Sequence, residues 1–264
     1  MDLARFTTCT YPLRELPFAA AFGQLAATGL TRLDVWGRAP HFSADPAECE
    51  PAAFVAAAAA AGVTIANLGT YCGHDFDATD AAMLDAEHAK TRATIDLAQR
   101  FGCRSIRVLP GHGEDPALID QVAPHFREAA AYAETRGIYL GMENHGGSLA
   151  GDPKLALRLS ELVGSRHFGV LYEPCNLLHA GVDYRAAFAT FKDWITHVHL
   201  KDLKVTAAGA ERCHLGEGDV DVRWCLDQLG ELGYDGDFAL EYEICDLEPL
   251  DTGLVKWREY VERL

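Results

Sequence analysis

"YLGMENHGG" (residues 139–147) runs from apolar residues straight into an anion, an amide and an imidazole, with a glycine pair behind them. Successive side chains of a strand point to opposite faces. If Ile138, Leu140 and Met142 pack on one side, Tyr139, Gly141 and Glu143 must face the other. A carboxylate turned into a protein interior is costly unless something neutralises it. What Glu143 faces therefore decides how the whole chain folds.

Working outward, seven further runs have the same β-rich character: 5–10, 32–36, 63–68, 105–109, 168–173, 195–200 and 238–243. Amphipathic stretches separate them, among them 17–29, the alanine-rich 52–61, 79–101 and 124–137, and a helix over 252–263 closes the chain. Strand then helix, eight times over 264 residues, predicts an α/β fold of the (β/α)8 TIM barrel type. A doubly wound sheet is the alternative, but no GxGxxG follows the first strand. No linker or composition break interrupts 1–264, which reads as one domain.

The alternation seen at Glu143 recurs on the three later strands. Phe168, Val170 and Tyr172 turn outward and leave Leu171 and Glu173 inward. Trp194, Thr196, Val198 and Leu200 outward leave His197, His199 and Lys201 inward; Phe238, Leu240 and Tyr242 outward leave Ala239, Glu241 and Glu243 inward. Barrel enzymes carry their chemistry at these C-terminal strand ends. Glu143, Glu173, His199 and Glu241 then converge on one spot. Three carboxylates repel one another unless a cation sits among them. Oxygen ligands with one imidazole suit Mn²⁺ first, and also Mg²⁺, Co²⁺ or Zn²⁺.

Bulk composition sets the limits. Hydrophobic residues are 49% and charged residues 23%, enough for a large core in an ordinary globular protein. A net charge of -16 disfavours nucleic acid as a partner, since such binders need a basic footprint. No apolar run approaches the roughly 18 residues of a membrane span, and MDLARFTTCTYPL lacks the pattern of a signal peptide. The eight cysteines form no CxxC pair, as expected of reduced thiols in a cytoplasmic protein.

The stretches "MENH" (142–145), "LYEPCN" (171–176), "HVHLKD" (197–202), "LGEGDVD" (215–221) and "LEYE" (240–243), with "ANLGTY" (66–71) and "VLPG" (108–111), resemble the xylose isomerase-like TIM barrels. That superfamily of sugar isomerases and epimerases also contains endonuclease IV. The resemblance implies one divalent metal on Glu143, Glu173, His199 and Glu241. Members usually carry Asp where this chain has Glu173. It further implies that Glu143 and Glu241 act as acid and base on a hydroxy-carbonyl substrate, through an enediolate. His145, Asn176 and Lys201 would then hold substrate oxygens, and Trp36 would wall the mouth.

Several other residues invite a role. Lys201 could instead pair with Asp202 or a barrel carboxylate, His197 reads as a supporting or core residue, and Cys175 as a passive thiol. Asp219 or Asp221 should cap a helix, while Glu217 or His214 could touch substrate. The leading expectation is a sugar or polyol isomerase or epimerase, a free sugar being preferred because no phosphate-binding motif is evident. A metal-dependent dehydratase of a keto-polyol or dehydroshikimate-like acid is the alternative. An endonuclease IV-like DNA repair enzyme and a non-catalytic sugar binder are remote. Homo-oligomerisation is left open.

Overall fold

The structure, a computed structural model, describes residues 3–264. Met1 and Asp2, which open the expected domain, lie outside the described residues. The strands are β1 (Phe6–Cys9), β2 (Arg32–Trp36), β3 (Thr64–Cys72), β4 (Ser105–Val108), β5 (Tyr139–Glu143), β6 (Phe168–Tyr172), β7 (Ile195–Leu200), β8 (Leu203–Thr206), β9 (Gly209–Arg212) and β10 (Phe238–Leu240). The helices are α1 (Phe18–Ala26), α2 (Pro51–Ala61), α3 (Ala81–Phe101), α4 (Leu118–Arg136), α5 (Pro153–Val163), α6 (Pro174–His179), α7 (Tyr184–Phe191), α8 (Val222–Glu231) and α9 (Leu250–Glu262). Eight parallel strands close in the order β1-β10-β7-β6-β5-β4-β3-β2, and β8 with β9 forms a separate antiparallel hairpin. The expected (β/α)8 barrel is present.

Local chemistry explains the element boundaries. Helix α2 starts where Glu50 accepts hydrogen bonds from the backbone N–H groups of Ala52 and Ala53, with Pro51 behind it, and stops at Gly62 in a left-handed turn. Asp80 likewise caps α3 through Met83 N–H. Such caps contribute on the order of 1 kcal/mol each. Helix α4 begins at Leu118, upstream of the start expected at Pro124, because its buried stripe of Ile119, Val122, Ala123 and Phe126 extends through the proline.

The inner and outer faces follow the alternation with one exception. Leu140, Met142, Phe168, Val170, Val198 and Leu200 are fully buried in the layer between barrel and helices. The register slips between Val170 and Leu171, so that Val170 pairs with Ile195 but Leu171 with His197. This bulge overturns the outward placement expected for Thr196. Its side chain lies against the inward-facing Cα atoms of Gly141 and Gly169, where an added Cβ would meet it. A bulge puts two residues opposite one and so re-aims a side chain.

Candidate active site

Glu143 ends β5, Glu173 follows β6, His199 lies near the end of β7 and Glu241 follows β10. All four are buried. His199 is the hub: its Nδ1 is 3.6 Å from Oε1 of Glu143 and 3.6 Å from Oε1 of Glu241. One donor atom from each of the three lies within 4.8 Å of the others, and Glu173 is outside that group. Glu173 reaches the cluster through Lys201, whose Nζ stands 3.7 Å from its Oε2, 2.6 Å from Glu241 Oε2 and 3.1 Å from Glu243 Oε2. Lys201 therefore pairs with barrel carboxylates and not with Asp202.

Three supporting residues stand outside the expected set. Asp34 of β2 takes both imidazoles at once, at 2.8 Å from His197 Nε2 and 3.0 Å from His199 Nε2, while Asn67 Nδ2 donates to its other oxygen at 2.9 Å. A carboxylate only accepts, so Nε2 of His199 carries its proton and Nδ1 is left facing the glutamates. Arg107 of β4 donates through Nη1 to Glu143 Oε2 at 2.8 Å, and through Nε and Nη2 to the carbonyls of Thr70 and Gly69. Asn144 accepts from the backbone N–H of Glu173 and donates to the Glu173 carbonyl, so β5 and β6 end in one clamp. His197 is a supporting residue, as expected.

Charge within the cluster is compensated unevenly. Burial opposes ionisation of Glu143, yet the Arg107 guanidinium beside it and the nearby His199 imidazole hold its carboxyl at about 2. Burial is likewise outweighed at Glu241, where Lys201 and His199 keep the carboxyl well below its usual range. At Glu173 burial wins, and Glu241 adds to it, so that carboxyl is pushed well up. Glu243 is raised by burial and by the same neighbour. Among the buried atoms of the cluster, His199 Nδ1, His197 Nδ1 and Glu173 Oε2 have no hydrogen-bond partner. A divalent ion fits this donor set. Glu143, His199 and Glu241 could hold it, and Glu173, outside that group, is the candidate for a third oxygen.

The remaining expected residues line a cavity of about 390 Å³ above the cluster. Trp36 stands in its wall, held through Nε1 by Tyr71 Oη at 3.1 Å. Asn176 turns Nδ2 toward Glu143 Oε1 at 3.3 Å. His145 lines the cavity from an exposed position, its Nδ1 on the Gly146 carbonyl. Burial and the adjacent Glu173 push the Cys175 thiol far up, which makes it a passive wall. His214 faces Glu248 and Trp257, and neither it nor Glu217 lines the cavity. Asp221 caps α8 through Trp224 N–H, whereas Asp219 binds Val205 N–H.

The β8–β9 hairpin, unread in the sequence, contributes Leu203, Ala210 and Arg212 to the cavity. Its base is fixed by Asp202, whose carboxylate accepts the backbone N–H groups of Leu203, Gly216, Gly218 and Val220. Only glycine fits at 218, where a Cβ would lie 2.2 Å from Asp202 Oδ1.

Known proteins share this architecture. A Streptomyces coelicolor protein provisionally named a hydroxypyruvate isomerase is 30% identical over 253 residues, covering 88% of this chain and 86% of its own. The structure of a Bacillus anthracis protein, provisionally titled a 3-DHS dehydratase involved in petrobactin synthesis, superposes with a TM-score of 0.78 at 16% identity over 98% of both chains. A Mycobacterium smegmatis xylose isomerase-like TIM barrel protein in complex with magnesium gives 0.77 at 21% identity, over 95% of this chain and 89% of its own. The two structural likenesses concern the fold alone. Residues 22–263 match the family profile described as xylose isomerase-like TIM barrel, and the chain belongs to that family.

Proposed function

We propose that this chain is a cytoplasmic, divalent-metal-dependent isomerase or epimerase of a small hydroxy-carbonyl compound, a free sugar or polyol-derived ketose. One observation carries the reading: two ionised glutamates, Glu143 and Glu241, stand at equal distances from the unpartnered Nδ1 of His199. Glu143, Glu173, His199 and Glu241 would hold the ion, Mn²⁺ or a similar hard to borderline cation. When bound, it would polarise a carbonyl and the adjacent hydroxyl and so acidify the C–H between them.

The chain's own residues then handle the proton. Glu241 accepts it from carbon, and Lys201 at 2.6 Å steadies that carboxylate between transfers. Glu143 and Asn176 hold the opposite face, with His145 within reach of the outer substrate oxygens and Trp36 closing the mouth. Arg107 at 2.8 Å keeps the Glu143 carboxylate ionised and fixed in place. The Streptomyces relative's name points to the same reaction class.

The test is a chelator-treated preparation resupplied with Mn²⁺, Mg²⁺, Co²⁺ or Zn²⁺ and offered ketoses, inososes, hydroxypyruvate and dehydroshikimate. Metal-dependent turnover of one compound, with solvent deuterium entering next to the carbonyl, is the expected result. Full turnover in excess chelator would overturn the reading. Loss of water from the substrate would move it to the dehydratase alternative, and micromolar binding of abasic duplex DNA to the repair one.

A further inference from the structure

A second cluster of metal-binding side chains lies outside the cavity, where the loops after β3 and β4 meet. Strand β3 ends at Cys72, and Gly73 turns with φ 88°, where a Cβ would strike the Phe126 ring. The short 3-10 turn His74–Asp77 follows. The β4 loop returns through Gly111 (φ 74°), whose N–H donates to the Gly73 carbonyl at 3.2 Å. His112 comes next and is fixed twice by Asp77: its backbone N–H binds Oδ2 and its ring Nδ1 binds Oδ1, each at 2.8 Å.

That arrangement assigns the tautomer. The Asp77 carboxylate only accepts, so Nδ1 of His112 carries the proton and the lone pair is on Nε2. This free nitrogen lies 3.5 Å from Asp75 Oδ1, and Nδ1 of His74 lies 4.0 Å from the same oxygen. The two imidazole rings are packed with centroids 3.7 Å apart. One donor atom each from His74, Asp75 and His112 falls within 4.8 Å of the other two. Ordinary hydrogen bonding accounts for Asp77 on His112; it does not account for a second imidazole and a second carboxylate turned to the same point.

We propose that His74, Asp75 and His112 form a second cation site, taking a borderline transition ion such as Zn²⁺. Two imidazole nitrogens with one carboxylate oxygen suit Zn²⁺, Ni²⁺ or Cu²⁺ better than Mg²⁺ or Mn²⁺. Asp77 is the outer carboxylate that orients a metal-binding histidine. None of the three residues lines the cavity, so the site is separate from the His199 centre. The β4 loop is also tied on its far side, through Glu114 to Gly147 N–H and through the Gly113–Ser148 bridge. An ion here fastens the β3 and β4 loops to the segment that carries His145.

Chelator-treated full-length protein titrated with ZnCl₂ in a calorimeter tests this, using wild type, the double variant His74→Ala/His112→Ala, and His199→Ala. Wild type should bind two ions per chain and the double variant one, with its Mn²⁺-dependent turnover unchanged. His199→Ala should keep the ion at the rim. Asp77→Asn should weaken the rim site by about ten- to a hundredfold. Equal Zn²⁺ counts in wild type and the double variant would overturn the proposal. Loss of all Zn²⁺ binding in His199→Ala alone would do the same while leaving the main metal centre standing. Binding lost only in the double variant would uphold this site and remove the other. Hydrogen exchange gives a reading on the unmutated protein: Zn²⁺ should slow exchange over residues 73–77 and 111–114, and no slowing counts against the site.

Discussion

The two halves of the barrel contribute differently to one cavity. Strands β5, β6, β7 and β10 bring their donors to the very ends, where Glu143, His199 and Glu241 line the cavity and Glu173 is buried behind them. Strands β2 and β4 place Asp34 and Arg107 within the strand, and neither presents a free donor: Asp34 holds two imidazoles and Arg107 holds Glu143. One half presents the candidate ligands, and the other fixes their charge and orientation. A site built this way depends as much on the half that fixes the donors as on the half that presents them.

Variants in the presenting half should cost most. Glu241→Gln keeps the volume and one metal-binding oxygen but cannot accept a proton, and the expected loss of turnover is on the order of 10²–10⁴-fold with folding intact. Deuterium wash-in next to the substrate carbonyl, compared between Glu241→Gln and Glu143→Gln, measures it. Isomerisation through one glutamate predicts that exchange disappears in the first variant and persists in part in the second. Turnover like wild type in both would end the comparison.

The supporting half is tested next by Arg107→Met. Removing one member of a buried pair leaves an uncompensated charge and costs about 3–5 kcal/mol. Urea denaturation should show it, and adding Glu143→Gln to the same chain should return much of the loss. The pH dependence has a defined sign. Glu143 titrates at about 2 in the folded chain against 4.5 for the free carboxyl. Its stabilisation is therefore complete above pH about 4.5 and lost as pH falls through about 2. Wild type should lose stability across that window more steeply than Glu143→Gln.

Asp34→Asn makes a smaller change. It leaves the ligands in place but loosens the orientation of His199, and metal affinity should fall by about 10–100-fold with little change in fold. Calorimetric Mn²⁺ titration decides it; unchanged affinity would mean that Asp34 serves packing only. The smallest effect sharpens the position of Glu173. Its carboxyl is raised by burial, so ionising it costs stability at neutral pH. Glu173→Gln should stabilise the chelator-treated protein by on the order of 1 kcal/mol while weakening Mn²⁺ binding. A variant that is less stable and binds Mn²⁺ as before would place Glu173 outside the metal site.

How far the sequence reveals all this follows from the same division. The strand-end ligands sit in short motifs, and bulky outward neighbours such as Leu140 and Met142 assign their inward parity. Asp34 between Leu33 and Val35, and Arg107 between Ile106 and Val108, obey the same alternation. No motif surrounds them, so nothing in the local sequence says that the inward group meets a ligand from another strand. Thr196 resists reading because a bulge changes parity without changing composition. The hairpin 203–212 resists because most of its residues are exposed, which removes the apolar rhythm that marks a strand.

That hairpin is attached in an unusual way for a segment that shapes a binding cavity. Asp202 gathers four backbone N–H groups from both sides of its base, while residues 204–212 hang beyond the barrel strands and are mostly exposed. Such a segment is a replaceable cassette. Apart from Arg212, which donates to the Glu243 carbonyl at 2.6 Å, its length and side chains can drift, or be exchanged in the laboratory, with little effect on the strands that carry the carboxylates. One chemical step can thereby be kept while the range of compounds admitted to it diverges from one descendant to the next.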